Sequence, residues 1–330
     1  MPANLYVHFP FCRSKCTYCA LYSRAGSSED ERKAYTLRIA DEIKALTKSS
    51  FKTIYFGGGT PAICDLSPIL EALQDKFTDD YEFTVELHPL DVNQALLDKL
   101  KALGVNRISM GVESLNDRTL RAMGRGYTLN EARKAYDKIR SLFNNVGIDL
   151  IVGFPGDPLN CSQLADWNLN HCSVYSLQNE RRLEGVMDDE SMMDALSRFS
   201  AQLESAGLKR YEISNYARPG YECRHNLAVW RGEDYLGLGE GAHGRVGLKR
   251  TVGKANGNYA TEEVSAEFDR KERSLFRLRT REGIDVNDFP EWLEALERAE
   301  RAGLLGKVGA TYFPTPRGME VCDAILEELV

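Results

Sequence analysis

The chain has 330 residues, 43% of them hydrophobic and 28% charged, with a formal net charge of −7, which suits a globular protein of one large domain and a smaller one at roughly 150 residues each. The acidic balance argues against a general nucleic-acid surface, and a long chain with dispersed cysteines is not a disulfide framework. No apolar run reaches the roughly 18 to 20 residues that cross a bilayer, and no basic-then-apolar leader opens the chain, so a reducing cytoplasm is expected.

Residues 4–9 are strand-like and closed by Pro10. Directly after them stands Cys12-Arg13-Ser14-Lys15-Cys16-Thr17-Tyr18-Cys19. Three thiolates in eight residues, with Arg13 and Lys15 between them to favour ionisation, make a soft-metal site suited to an iron–sulfur cluster. Three ligands leave one iron of a four-iron cluster open, the vacancy a catalytic metal keeps. Structural zinc takes a fourth ligand, and the nearby His8 points from a strand.

Residues 28–49 have helical spacing, with Ala34, Leu37, Ile39, Ile43 and Leu46 recurring among charges. The apolar run 53–56 ends in Gly57-Gly58-Gly59-Thr60-Pro61, where glycines let backbone amides approach a ligand, and a helix follows over 67–77. The alternation then repeats. Strands are expected over 81–86, 107–111, 147–152 and 174–178, and helices over 94–103, 116–123, 130–142 and 162–169. Strand and helix in regular order predict parallel strands with crossover helices. Six units are too few for a closed eight-stranded barrel, so an incomplete (β/α)6 TIM-like barrel is expected, with an open doubly wound sheet as the alternative. Glu86, Glu113 and Asp149 fall with the cysteine and glycine loops near the carboxyl ends of strands, the rim where α/β catalytic groups converge. An acidic residue there can also simply cap the next helix.

Past residue 178 the signals are weaker. Residues 221–230 are expected to form a packed strand-turn segment in which His225 and Asn226 satisfy buried backbone groups. From about residue 266 the pattern becomes two helices (268–278, 287–302), a short hairpin and a final helix (318–329). Arg181-Arg182 and the basic stretch 277–281 are solvated faces. Cys64, Cys161, Cys172 and Cys322 have no ligand-like partners and are expected to be buried.

The pattern Cys-x3-Cys-x-Tyr-Cys after a first strand, with Gly-Gly-Gly-Thr-Pro after a second, resembles the radical S-adenosylmethionine superfamily. That resemblance implies a [4Fe-4S] cluster on Cys12, Cys16 and Cys19, with S-adenosylmethionine on the open iron. It places Tyr18 near the adenine and Gly58, Gly59 and Thr60 around the methionine end. The segments 5–12, 108–114, 149–155 and 211–217 are similar to the oxygen-independent coproporphyrinogen III oxidase family, in which Tyr6, Glu86, Arg125 and Asp149 match cofactor-contacting positions. Glu113 stands where that family has Gln. Leu21 replaces a further cysteine of the true dehydrogenases, and the chain begins almost at its first strand. Both features resemble the HemW-type haem chaperones. Their H-N-x-x-Y-W signature is met by His225-Asn226-Leu227-Ala228-Val229-Trp230, with Val229 in place of tyrosine.

This resemblance implies a radical-SAM barrel over residues 1–245 and a small, mainly helical, winged-helix-like domain over 246–330. It also implies haem binding through His225, delivery to a haem-acceptor protein that can be membrane-associated, and no nucleic-acid partner. The alternative is an enzyme that oxidatively decarboxylates coproporphyrinogen III and needs an electron donor. A related haem-modifying enzyme is the third reading.

Overall fold

The computed structural model describes residues 2–47, 49–157, 161–178 and 183–329, without the side chains of Cys161 and Ala165. Arg181, Arg182 and the Cys161 thiol therefore lie outside the described residues.

Six strands, β1 (Asn4–Phe9), β2 (Phe51–Gly58), β3 (Phe77–Leu87), β4 (Arg107–Glu113), β5 (Asn145–Val152) and β6 (His171–Ser176), each pair in parallel with the next. The crossovers are α1 (Glu29–Lys44), α2 (Ser67–Ala72), α3 (Gln94–Ala102), then α4 (Asp117–Ala122) with α5 (Leu129–Arg140), and finally a 3-10 segment, Cys161–Trp167. Local chemistry starts several of these helices. Ser28, Asn93 and Asn116 each accept a backbone N–H in the first turn, and Thr128 with Glu131 closes a capping box before α5.

A doubly wound sheet reverses its strand order part-way. Here β1 to β6 run consecutively, which is barrel winding. Closure fails because both flanks are taken. β6 pairs with antiparallel β8 (Asn215–Ala217), which pairs with β7 (Lys209–Arg210), while β1 pairs in parallel with β9 (Tyr235–Leu238). Beyond β9 an antiparallel meander, β10 (His243–Val246), β11 (Lys249–Gly253) and β12 (Tyr259–Glu263), completes a twelve-stranded sheet.

Alternate strand residues build the two faces. Leu5, Val7 and Phe9 of β1, Ile54 and Phe56 of β2, Phe83 and Val85 of β3, Ile108 and Met110 of β4 and Ile148 of β5 are inaccessible and join one core. The intervening positions carry Tyr6, His8, Tyr55, Glu86, Ser109, Asp149 and Tyr175 toward the barrel interior.

The segment 221–230 differs from expectation. It is mostly a helix, α7 (Arg224–Trp230), because Glu82 of β3 accepts the Arg224 and His225 backbone N–H groups at 3.0 and 3.1 Å. A carboxylate there meets the positive end of the helix. A further helix, the 17-residue α6 (Asp189–Ser205), starts at Asp188, whose side chain accepts from the Ser191 backbone N–H.

At the C-terminal end, α8 (Ala266–Arg277) leads to a second core of Leu278, Ile284, Phe289, Trp292, Leu296, Leu305 and Tyr312. That core joins α9 (Leu293–Arg301) to a small sheet of β13 (Ile284–Asp285), β14 (Leu305–Val308) and β15 (Thr311–Pro314), a winged-helix-like arrangement. The expected single final helix is two, α10 (Pro316–Glu320) and α11 (Cys322–Glu327), broken at Val321. Among the described residues no helix is long and apolar enough to cross a membrane.

Phe56 meets the Phe83 ring edge-on at 4.9 Å and Phe9 at 5.3 Å in the centre of the main core. Phe56→Ala is expected to lower unfolding free energy by about 3–5 kcal/mol in a denaturant titration.

Candidate functional site

The cysteine loop leaves β1 at Pro10 and lies against the loop that leaves β2. Gly59 N–H donates to the Phe9 carbonyl and Thr60 N–H to the Phe11 carbonyl, both at 2.7 Å. A Cβ on Gly59 would stand 2.5 Å from the Phe11 oxygen, 2.8 Å from the Phe9 oxygen and 3.0 Å from the Cys12 sulfur. The glycine run therefore serves first to let two backbones touch. Gly58 N–H is also spent, donating to Glu86 Oε2 at 3.1 Å. The amides of Gly58, Gly59 and Thr60 thus all have partners within the protein.

The expectation that Arg13 and Lys15 polarise the thiols is corrected by the structure. Arg13 pairs with buried Asp91, and Lys15 donates to the carbonyls of Leu21 and Ser23 and to the Ser23 hydroxyl. In so tight a loop the residues between cysteines turn to other partners. The cation that reaches a thiol is Arg125, whose Nη1 donates to Cys16 Sγ at 3.4 Å. Burial pushes the Cys12 thiol up, and hydrogen bonds from Ser23 and Thr60 oppose that rise. Among the described residues no three His, Cys, Asp or Glu side chains close around a point as one bound ion requires.

Arg125 follows α4 and is nearly buried. It donates through Nε to the Tyr127 hydroxyl (2.9 Å) and through Nη2 to the Gly111 carbonyl (3.0 Å), and it lies 3.5 Å from Glu113. Glu113 has the left-handed φ of 68° at a register shift in β4. A non-glycine residue there is strained. Gly111 leaves the space, since a Cβ would approach Glu113 Oε1 to 2.5 Å. Tyr18 is half-buried, with its ring edge-on to Phe154 at 6.5 Å.

Glu86 accepts from the Tyr55 hydroxyl at 2.8 Å. Its pKa is nevertheless pushed up to about 8, first by burial and then by Asp149. Asp149 accepts from the Ser109 hydroxyl at 3.0 Å and is also raised by burial. Glu113 is raised by burial against the pull of Arg125. Cys12, Cys16, Cys19, Tyr18, Glu86, Glu113, Arg125 and Asp149 all gather at the carboxyl ends of β1 to β5.

Tyr6 lies one turn of the pleat deeper. Its hydroxyl pairs with His8 Nδ1 at 2.9 Å, and its ring stacks on His225 at 6.3 Å. His225 itself is buried, with Nδ1 2.8 Å from the Thr53 hydroxyl, and burial followed by the Arg107 charge lowers its pKa to about 3. Trp230 Nε1 donates to buried Glu212 at 3.1 Å, and its ring meets Phe276 edge-on. Cys223 donates to Glu82 Oε1 at 3.6 Å, and Cys64, Cys172 and Cys322 are buried as expected.

Tyr55, Ser109, Ser173 and Tyr175 were not singled out from the sequence, although a signal was present. Strands of a parallel sheet covered on both faces are near-continuous apolar runs, whereas Asn4/Tyr6/His8, Glu82/Thr84/Glu86 and His171/Ser173/Tyr175 alternate polar with apolar.

A family model described as the radical SAM superfamily matches residues 6–167. The heme chaperone HemW of Escherichia coli (strain K12) is 34% identical over 267 aligned positions, spanning 74% of this chain and 70% of that protein. The chain belongs to the HemW family of the radical SAM superfamily. The HemW of Mycobacterium tuberculosis (strain H37Rv) is 31% identical, spanning 100% of this chain and 95% of its own. Among solved structures, the coproporphyrinogen III oxidase HemN from Escherichia coli, described as a radical SAM enzyme, superposes with a TM-score of 0.84 at 21% identity, covering 99% of this chain and 89% of that one. It shares the fold. Membership of the superfamily implies a [4Fe-4S] cluster and S-adenosylmethionine for the HemW fold.

The raised carboxyl at Glu86 gives a pH signature with a defined sign. A carboxyl whose folded pKa exceeds its unfolded value destabilises the fold as it ionises, so ligand-free stability should fall as pH rises from about 4.5 toward 8. Glu86→Gln should flatten that decline in denaturation curves taken across this range, and an unchanged slope would remove Glu86 as its source.

Proposed function

We propose that this protein binds haem and hands it to haem proteins, using a cluster and S-adenosylmethionine held at the barrel mouth. Cys12, Cys16 and Cys19 would hold the cluster. Glu86, Glu113 and Asp149 are each raised by burial, so a cation beside them would favour their ionised forms, and the cofactor brings a sulfonium and an ammonium. Arg125 suits the cofactor's carboxylate, Tyr18 with Phe154 offers an aromatic wall to its adenine, and Tyr6 closes the floor. Because the amides of Gly58, Gly59 and Thr60 are spent, that loop would support the methionine end by shape and carbonyl oxygen. When bound, the cluster supplies an electron and the cofactor a sulfonium able to accept it.

The observation that carries the chaperone reading over the oxidase reading is Leu21. The residue where the dehydrogenases have a further cysteine is an apolar side chain 59% exposed beside the cluster loop. We give His225 and Trp230 a packing role, since both are engaged inside the fold. An acceptor protein for the haem, and an electron donor if the cluster cycles, complete this reading.

An anaerobic incubation of the reconstituted protein with S-adenosylmethionine, a reductant and coproporphyrinogen should yield no protoporphyrinogen. Sustained multiple turnover would sink the chaperone reading in favour of the oxidase. Separately, Cys16→Ala should come through anaerobic reconstitution with its iron and sulfide largely lost, and full retention of both would remove the loop as the cluster site.

A further inference from the structure

This inference rests on the haem reading above and concerns where the haem binds. A haem iron takes an axial side chain, and imidazole is a frequent choice. The chain has five histidines. Four are engaged and shielded to different degrees. His8 is buried between Tyr6 and the Tyr22 carbonyl. His88 Nδ1 accepts from the Leu90 backbone, and its ring meets Tyr127 edge-on. His171 is buried against the Tyr211 hydroxyl at 2.8 Å, and His225 against Thr53. His243 is the exposed one.

His243 opens β10 at the rim of the cysteine loop. Two residues before it, Gly241 lies so close to the Tyr22 ring that a Cβ would come within 2.6 Å of it. The His243 charge is felt by His8, whose ring faces Tyr22 at 6.2 Å. In the loop against which Gly241 packs, Leu21 and Tyr22 are 59% and 51% exposed. Among the described residues they are the one adjacent pair of large apolar side chains so exposed, which is apolar area poorly used by an isolated chain. Cations stand next to it. The Lys15 ammonium donates to the Leu21 carbonyl at 2.7 Å and to the Ser23 carbonyl and hydroxyl, and the part-exposed Arg24 guanidinium bridges Glu240 at 2.8 Å and Glu31 at 2.7 Å, with the Tyr22 hydroxyl also donating to Glu240 at 2.5 Å.

An accessible imidazole, an apolar platform and neighbouring cations match the three parts of haem: iron, macrocycle and propionates. We propose that haem docks on the Leu21–Tyr22 rim with His243 as its axial ligand and with Lys15 and Arg24 beside its propionates. Haem and the cluster loop then share one edge of the barrel mouth, since Leu21 lies two residues beyond Cys19.

The test titrates ferric haem into the full-length protein and its variants, read by the Soret band and by electron paramagnetic resonance. Wild type should show a histidine-ligated spectrum. His243→Gly should lose that spectrum and at least tenfold in affinity, and added imidazole should restore the spectrum. Leu21→Glu should weaken binding several-fold while keeping histidine ligation. Unchanged affinity and spectrum in His243→Gly would overturn this placement while leaving haem binding intact. A wild-type protein that binds no haem would overturn the haem reading itself, and the placement with it.

Discussion

The barrel mouth depends on two backbones lying in contact. The chain leaving β2 can touch the chain entering the cysteine loop only because residue 59 has no side chain, and two 2.7 Å hydrogen bonds fix the join. That contact sets where the Cys12 sulfur stands. It also turns Gly58 so that its N–H meets Glu86, tying the third strand to the first two. The cysteine loop is thus anchored by main chain, which tolerates substitution poorly, whereas its side-chain cations serve neighbouring surfaces.

The second constraint is electrostatic. Three carboxyls and one arginine occupy the ends of β3 to β5 and the turn after α4. Burial raises all three acids, and Arg125 offsets only Glu113 substantially. An arrangement that costs stability when empty is the reverse of a structural ion-pair network, in which each charge is matched. The left-handed φ at Glu113 adds backbone strain at the same place, held by the register shift of β4 and by Arg125.

Much of this was legible in the sequence. The six strands of the barrel and the rim residues Glu86, Glu113 and Asp149 follow from alternation and position alone, because crossover connections force parallel strands to share a rim. The partners of charged side chains were not legible: Arg13 and Lys15 look like thiolate activators in one dimension and turn elsewhere in three, while Arg125, 109 residues from Cys16, makes the contact. Nor was α7 visible, because its start is capped by Glu82 from a distant strand rather than by a neighbour. The seventh parallel strand, β9, is four residues long and glycine-containing, too short for periodicity to register.

One proton position follows from the geometry and links the interior to the rim. His8 Nε2 lies 2.8 Å from the Tyr22 carbonyl oxygen, which can only accept, so Nε2 carries the hydrogen. Burial lowers the pKa of His8, which favours the neutral ring and leaves Nδ1 as an acceptor. The Tyr6 hydroxyl, 2.9 Å away, must therefore donate to it. Tyr6 in turn stacks on His225, and the Tyr22 hydroxyl donates to Glu240, whose backbone N–H donates to the Tyr35 hydroxyl. A continuous set of directed contacts thus runs from the packed floor of the barrel, through one imidazole, to the rim beside the cysteine loop. Tyr6 and Tyr22 are sixteen residues apart in sequence, and His8 is the only side chain between them in this chain of bonds. The Tyr6 hydroxyl and the Tyr22 carbonyl thus fix one tautomer of a buried imidazole between the floor of the barrel and its rim.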